Sequence, residues 1–239
     1  MTKAFKASRL FGLLALLAGV MAFSATAAQA EPGAFWEVGG TKILKAGELL
    51  TEINAKKDSP HGILLTKSGL STIEIDCTDI SIKNGLLHEL GRATGSIHFS
   101  GCITKLNTVE APLCKPHSPG AAEGLIQTEP LEGLLKLHKP TAGGTEDVFE
   151  VLAINAGMIF VTIHLGSGKC AIGLKFDVTG TLFLKDCKNL LLTNELEHLF
   201  EEHPLTRLLF GANAASLDGS AWAFLEGAHK GKLWSGHPA

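Results

Sequence analysis

From residue 60 onward the chain alternates between polar and apolar positions in short runs. In residues 71–77, STIEIDC, Thr72, Glu74 and Asp76 lie on one side of an extended chain, and Ile73, Ile75 and Cys77 on the other. Residues 158–165, MIFVTIHL, place Ile159, Val161, Ile163 and Leu165 together, and residues 95–101 and 178–186 behave in the same way. A period of two over four to eight residues, bounded by glycine, predicts half-buried strands. The 27 glycines and nine prolines supply turns at short intervals, which suits many strands better than a few long helices. One stretch departs from this pattern. Residues 45–58, KAGELLTEINAKKD, carry Leu49, Leu50 and Ile53 at helical spacing and are the best helix candidate.

The expected fold class is therefore all-β: an antiparallel β-sandwich or barrel with disulfides and at most one or two short helices. Residues 124–138 and 172–186 resemble one another, each reading as strand, turn, strand, and suggest repeated hairpins. Residues 139–147, KPTAGGTED, read as a long hairpin loop and not as a domain linker.

The first thirty residues have a different character. Lys3, Lys6 and Arg9 precede an apolar run at 10–23, and Ala28-Gln29-Ala30 has the small-x-small form that signal peptidase cuts. The run is shorter than the roughly twenty residues a spanning helix needs. Residues 1–30 are thus expected to be a signal peptide and 31–239 a single β-rich domain, secreted or periplasmic, with no membrane span after cleavage. Removing the segment takes three basic residues and no acidic one, so 21 basic against 24 acidic becomes 18 against 24. That acidic balance argues against nucleic acid and anionic lipid as partners.

All five cysteines, Cys77, Cys102, Cys114, Cys170 and Cys187, lie beyond the signal segment, and an oxidising compartment makes disulfides their default state. Cys102 and Cys114 are the preferred pair, because twelve residues suit a closed loop worth roughly 3 kcal/mol. The second bridge would use two of Cys77, Cys170 and Cys187, and a Cys170–Cys187 pairing stays open.

Several stretches resemble a large set of exported bacterial proteins to which no activity is attached. They are CKPHSPGAAEGLIQTEPLEGLLKL at 114–137, FSGC at 99–102, AFWEVGGTKILKAGE at 34–48 and ASLDGSAWAFLEGAHKGKLWSG at 215–236. That set carries a cysteine, then Ser-Pro-Gly-Ala, then Gly-x-Ile-x-Thr-x-Pro-Leu before a hairpin, and Gly124-Leu125-Ile126 matches it. The resemblance implies secretion and a β-rich, disulfide-bonded fold. It transfers no catalytic residue. It also implies that Cys187, less general in that set than the other four, is the unpaired thiol.

Candidate chemistry is sparse. NELEHLFEEHP at 194–204 holds His198 and His203 among glutamates, yet zinc motifs on a helix need histidines four apart. Five apart puts them about 140° apart on a helix and on opposite faces of a strand. Asn194 and Glu197 have the spacing of a helix cap. The expectation is a charged, exposed turn or edge strand. Cys114 and His117, with Cys102, could supply zinc ligands, but exported cysteines oxidise to disulfides more readily. GSGK at 166–169 lacks the first glycine and the final Ser/Thr of a phosphate loop, since those positions hold Ile163 and Cys170. No Gly-x-Ser-x-Gly elbow occurs. His98 and His164 fall on the less apolar faces of their strands. Near the C-terminus, His229, Trp234 and His237 read as a recognition tip or as a last strand whose Trp234 closes the core; the second is preferred.

The expectation is an exported, non-enzymatic binding or structural module of the cell envelope or extracellular space, with no cofactor, no metal site and no catalytic residue. Its partner would be a protein or glycan of that space, although tyrosine is absent and only Trp36, Trp222 and Trp234 supply large amphipathic aromatics. The alternative is an exported metal-dependent hydrolase whose site assembles from dispersed His and Asp/Glu. A third reading, an inhibitor or toxin, would need the 102–114 loop exposed and rigid.

Overall fold

The computed structural model describes residues 33–44, 51–57, 62–69, 71–155, 157–166, 169–170, 172, 175–186 and 197–239. Residues 1–30, where a signal peptide is expected, and Cys187 lie outside the described residues. The chain is all-β, as its alternation predicts. Its first strands are β1 (Phe35–Val38), β2 (Thr41–Ile43), β3 (Thr51–Lys57), β4 (Gly62–Ser68), β5 (Ser71–Cys77), β6 (Asp79–Leu87) and β7 (Arg92–Ser100). Next come β8 (Ile103–Leu106), β9 (Val109–Glu110), β10 (Pro116–His117), β11 (Ile126–Gln127), β12 (Leu131–His138), β13 (Glu146–Ala153) and β14 (Ile159–Leu165). The last are β15 (Lys175–Asp186), β16 (Glu197–Glu202), β17 (Arg207–Phe210), β18 (Asn213–Asp218), β19 (Ser220–Leu225) and β20 (Trp234–His237). Among the described residues, a single 3₁₀ turn at Gly227–His229 is the only helical segment.

β2, β1 and β20 form a small sheet, and the other seventeen strands form one curled antiparallel sheet. Its pairings run β7–β12–β13–β15–β16–β19–β3–β6, and β6 pairs with β7 again, so this curl turns back on itself. A second run, β10–β14–β15–β17–β18–β4–β5–β8–β9, forms a wing. β15 belongs to both: Val178–Thr181 pair with β17 in the wing, and Leu182–Lys185 with β13 in the curl.

Two expectations are corrected here. Residues 172–186 are not a second hairpin, because 175–186 run as one twelve-residue strand. Residues 51–57 of the helix candidate form β3, held between β19 and β6, while 45–50 and 58 lie outside the described residues. Backbone hydrogen bonds to two neighbouring strands outweigh a helical spacing carried by three apolar residues. The 139–147 stretch does contain the β12–β13 hairpin loop.

The core has two clusters. The larger includes Ile75, Val161, Ile163, Leu165 and Phe210, and the smaller is built on Trp36, Leu135, Leu225 and Trp234. Trp36 and Trp234 are 1 % exposed, so the small sheet seals one end of the molecule. Their rings lie 5.7 Å apart, Phe149 meets Trp36 at 5.9 Å, and the Trp36 indole N–H donates to the Arg92 carbonyl at 2.7 Å. The last strand thus does close the core with Trp234.

The disulfides are Cys77–Cys102 and Cys114–Cys170, which overturns the Cys102–Cys114 pairing. Strand register decides the matter. β5 and β8 pair Asp76 with Ile103, which sets Cys77 and Cys102 side by side at the strand ends, with Cα atoms 4.0 Å apart. Cys114 leaves the β8–β9 hairpin on its far side and meets Cys170 just beyond β14. The 102–114 loop therefore has both ends anchored to other parts of the chain, and its tip residue Val109 is 69 % exposed. Both bridges fit an oxidising compartment. No helix of the described residues is long and apolar enough to cross a membrane.

Candidate functional site

Curl and wing do not close completely on one another. Between them lies a cavity of about 250 Å³. The curl contributes Leu131, Val151, Leu182 and Ala223, and the wing contributes Ile75, Val161, Val178 and Leu208. Alternation in each strand sends these side chains inward, so the strands that build the core also line the void. Trp36 and Trp234 stand at the end sealed by the small sheet. Gly133 makes room for the Phe149 ring, which lies where a Cβ at that position would stand.

The only ionisable side chains on the cavity wall among the described residues are Glu202, at the end of β16, and Asp218, at the β18–β19 turn. Asp218 is exposed and accepts a hydrogen bond from the Gly219 amide at 2.8 Å, which marks this end as the one meeting solvent. Burial pushes the Glu202 carboxyl above its ordinary value of 4.5; the Leu217 backbone pulls the other way by hydrogen bonding, and the Asp218 charge adds to the rise. Two hydroxyls on the wall are engaged within the protein. Thr128 Oγ1 accepts from the Ile97 amide at 2.8 Å, and Thr94 Oγ1 lies 2.7 Å from His88 Nε2.

This arrangement sets a pH dependence. A carboxyl whose folded value is raised contributes stability below its unfolded value of about 4.5, and loses it as pH rises through the folded value. Glu202→Gln is therefore expected to be at least as stable as the parent at pH 7, with the advantage shrinking as pH falls toward 4.5. Urea unfolding midpoints of the two chains across that range measure this, and Asp218 is the charged group from a neighbouring strand that must be held constant.

The residues singled out in the sequence fall elsewhere. Glu197–Glu202 is a strand between β15 and β19, neither an edge strand nor a capped helical turn. His203, just past it, is buried at 7 % exposure, contrary to the expected exposed position. Its Nδ1 accepts from the Leu205 amide at 3.1 Å, and its Nε2 donates to Glu146 at 2.8 Å. Both nitrogens are thus engaged, and neither is free for a metal. The His138 ring packs against it at 5.8 Å. Sequence reasoning missed this because Glu146 is 57 residues away.

Cys102 and Cys114 are oxidised in separate bridges, so His117 has no thiolate beside it. It pairs across β10 and β14 with His164, ring to ring at 5.5 Å. Gly166 of the GSGK stretch turns with φ +68° against the Leu113 backbone. Near the C-terminus, Ser235 Oγ lies 2.9 Å from His237 Nε2, and Glu37 approaches that same nitrogen at 3.7 Å. A catalytic triad needs the carboxylate on the other nitrogen and an accessible hydroxyl, and Ser235 is fully buried. Among the described residues no three His, Cys, Asp or Glu side chains converge as a metal site. A second cleft, of about 360 Å³, lies beside the Cys77–Cys102 bridge, where the Lys115–Glu123 ion pair at 3.0 Å is exposed and the buried Thr104 hydroxyl has no hydrogen-bond partner.

No signal in the sequence marks the cavity, since its lining residues are the same alternating aliphatics that form the core. Compared with family models, with curated proteins and with solved structures, the chain matches none of them.

Proposed function

We propose that this chain is an exported binding protein, secreted or periplasmic, that holds a small apolar molecule between the curl and the wing of its sheet. The observation that carries this reading is the cavity of about 250 Å³ with its aliphatic and aromatic wall. Protein interiors are packed to about the density of organic crystals, so a void of this size forfeits packing contacts unless something fills it. An apolar void of roughly 150 Å³ already takes up benzene, and pockets for larger ligands start near 300 Å³. The volume suits a small aromatic or a short acyl chain. His203, one of the histidines a hydrolase site would draw on, spends both nitrogens within the protein.

The test uses the mature, oxidised chain and a neutral apolar fluorophore such as N-phenyl-1-naphthylamine. Saturable one-to-one binding is expected, together with a change in the emission of Trp36 and Trp234 on the cavity wall. Val161→Phe places a ring in the void and is expected to weaken binding at least about tenfold while leaving the unfolding midpoint nearly unchanged. Absence of saturable binding in the parent chain, or equal binding by the filled variant, would overturn the reading.

A further inference from the structure

We infer that the molecule held in the cavity is an amphiphile with a cationic head, a primary or substituted amine whose apolar tail lies between curl and wing and whose charge sits against Glu202 and Asp218. This rests on the binding reading above and adds the chemistry of the head group. The wall has a charge of one sign. Glu202 and Asp218 are its ionisable residues, and no lysine, arginine or histidine of the described chain lines it. The two acids come from different strands, β16 and β18, and stand together where the wall meets solvent. An apolar tail running toward the Trp36–Trp234 end leaves its head at that rim.

The polar capacity of the rim narrows the choice. The hydroxyls of Thr94 and Thr128 are engaged within the protein. When ionised the carboxylates accept and do not donate, and among the described residues each takes one backbone bond, Glu202 at Leu217 and Asp218 from the Gly219 amide, which leaves lone pairs for a donor. A fatty acid would bring a third negative charge to a place where two already repel one another, with no guanidinium or ammonium on the wall to receive it. A neutral alcohol would donate a single hydrogen bond and leave the repulsion between the acids in place. An ammonium head donates to both carboxylates and supplies the opposite charge, a charge-assisted contact partly screened from water.

The experiment compares octylammonium, octanol and octanoate, equal in tail length and different only in head, by titration calorimetry at pH 7 below their micelle concentrations. The mature oxidised chain is expected to bind octylammonium roughly tenfold more tightly than octanol, and octanoate most weakly. Glu202→Gln and Asp218→Asn are expected to remove the preference for the amine while lowering octanol affinity far less, with folding checked by the unfolding midpoint. If octanol and octanoate bind as tightly as the amine, the head-group inference fails and the apolar-binding reading stands. If the variants weaken amine and alcohol alike, the acids shape the fold and do not select the head, which also overturns the inference. If none of the three binds, the binding reading itself fails.

Discussion

Gly180→Ala is expected to destabilise the chain by about 3 kcal/mol or more, a drop that moves the urea unfolding midpoint well below that of the parent. Gly180 sits in the middle of β15, opposite Leu208 of β17, at the point where the strand passes from the wing to the curl. Its φ is +113°, a conformation that L side chains rarely adopt, and a Cβ there would overlap the carbonyl oxygen of Arg207. That oxygen belongs to the backbone of a paired strand, so no rotamer change relieves the overlap. Either β17 moves away or β15 straightens, and both disturb the wall carrying Val178, Leu182 and Leu208. Gly120 is the control. Its φ of +77° is also unusual, but nothing lies within 4 Å of its would-be Cβ, so Gly120→Ala should cost only about 1 kcal/mol of backbone strain. Urea unfolding of both variants decides the point, and equal midpoints would refute the crossing geometry assigned to β15.

Removing the Cys114–Cys170 bridge by a double change to serine is expected to cost about 4 kcal/mol, from the loop-closure entropy of its 56-residue separation. The Cys77–Cys102 bridge, with a separation of 25, should contribute about 3.5 kcal/mol on the same reasoning. Against a total stability of about 5–15 kcal/mol for an ordinary domain, loss of both would remove half or more of it. Unfolding under non-reducing conditions gives these energies, and proteolysis with mass mapping gives the connectivity. A peptide joining Cys102 to Cys114 would contradict the register between β5 and β8 as well as the bridges.

Much of the fold was legible because alternation is a local signal. Residues 71–77 could be read as a strand with Ile73, Ile75 and Cys77 buried, and the structure has that strand and that buried face. The preferred reading of the C-terminus, a last strand whose Trp234 closes the core, matches the structure, where Trp234 lies in β20 at 1 % exposure. The errors arose where a local pattern had two readings. Residues 178–186 alternate as a strand, while the whole of 172–186 also reads as strand, turn, strand; the structure keeps the first reading, with Gly180 a crossing point within one strand. KAGELLTEINAKKD has helical spacing at three residues, while Thr51, Ile53 and Ala55 also alternate with Glu52, Asn54 and Lys56. Only pairing with β19 and β6 chooses the second reading.

By itself the sequence determined the all-β class, the burial of alternating aliphatics, and a cysteine content suited to bridges, because each follows from side-chain chemistry repeated at short range. Only the tertiary structure decided which cysteines meet, that His203 finds Glu146 across 57 residues, and that curl and wing leave a cavity with two acids at its rim. Pairing and enclosure depend on strand register and on how far a sheet curls. Those are set by the sum of many weak contacts between distant residues, and no short stretch of the chain carries them.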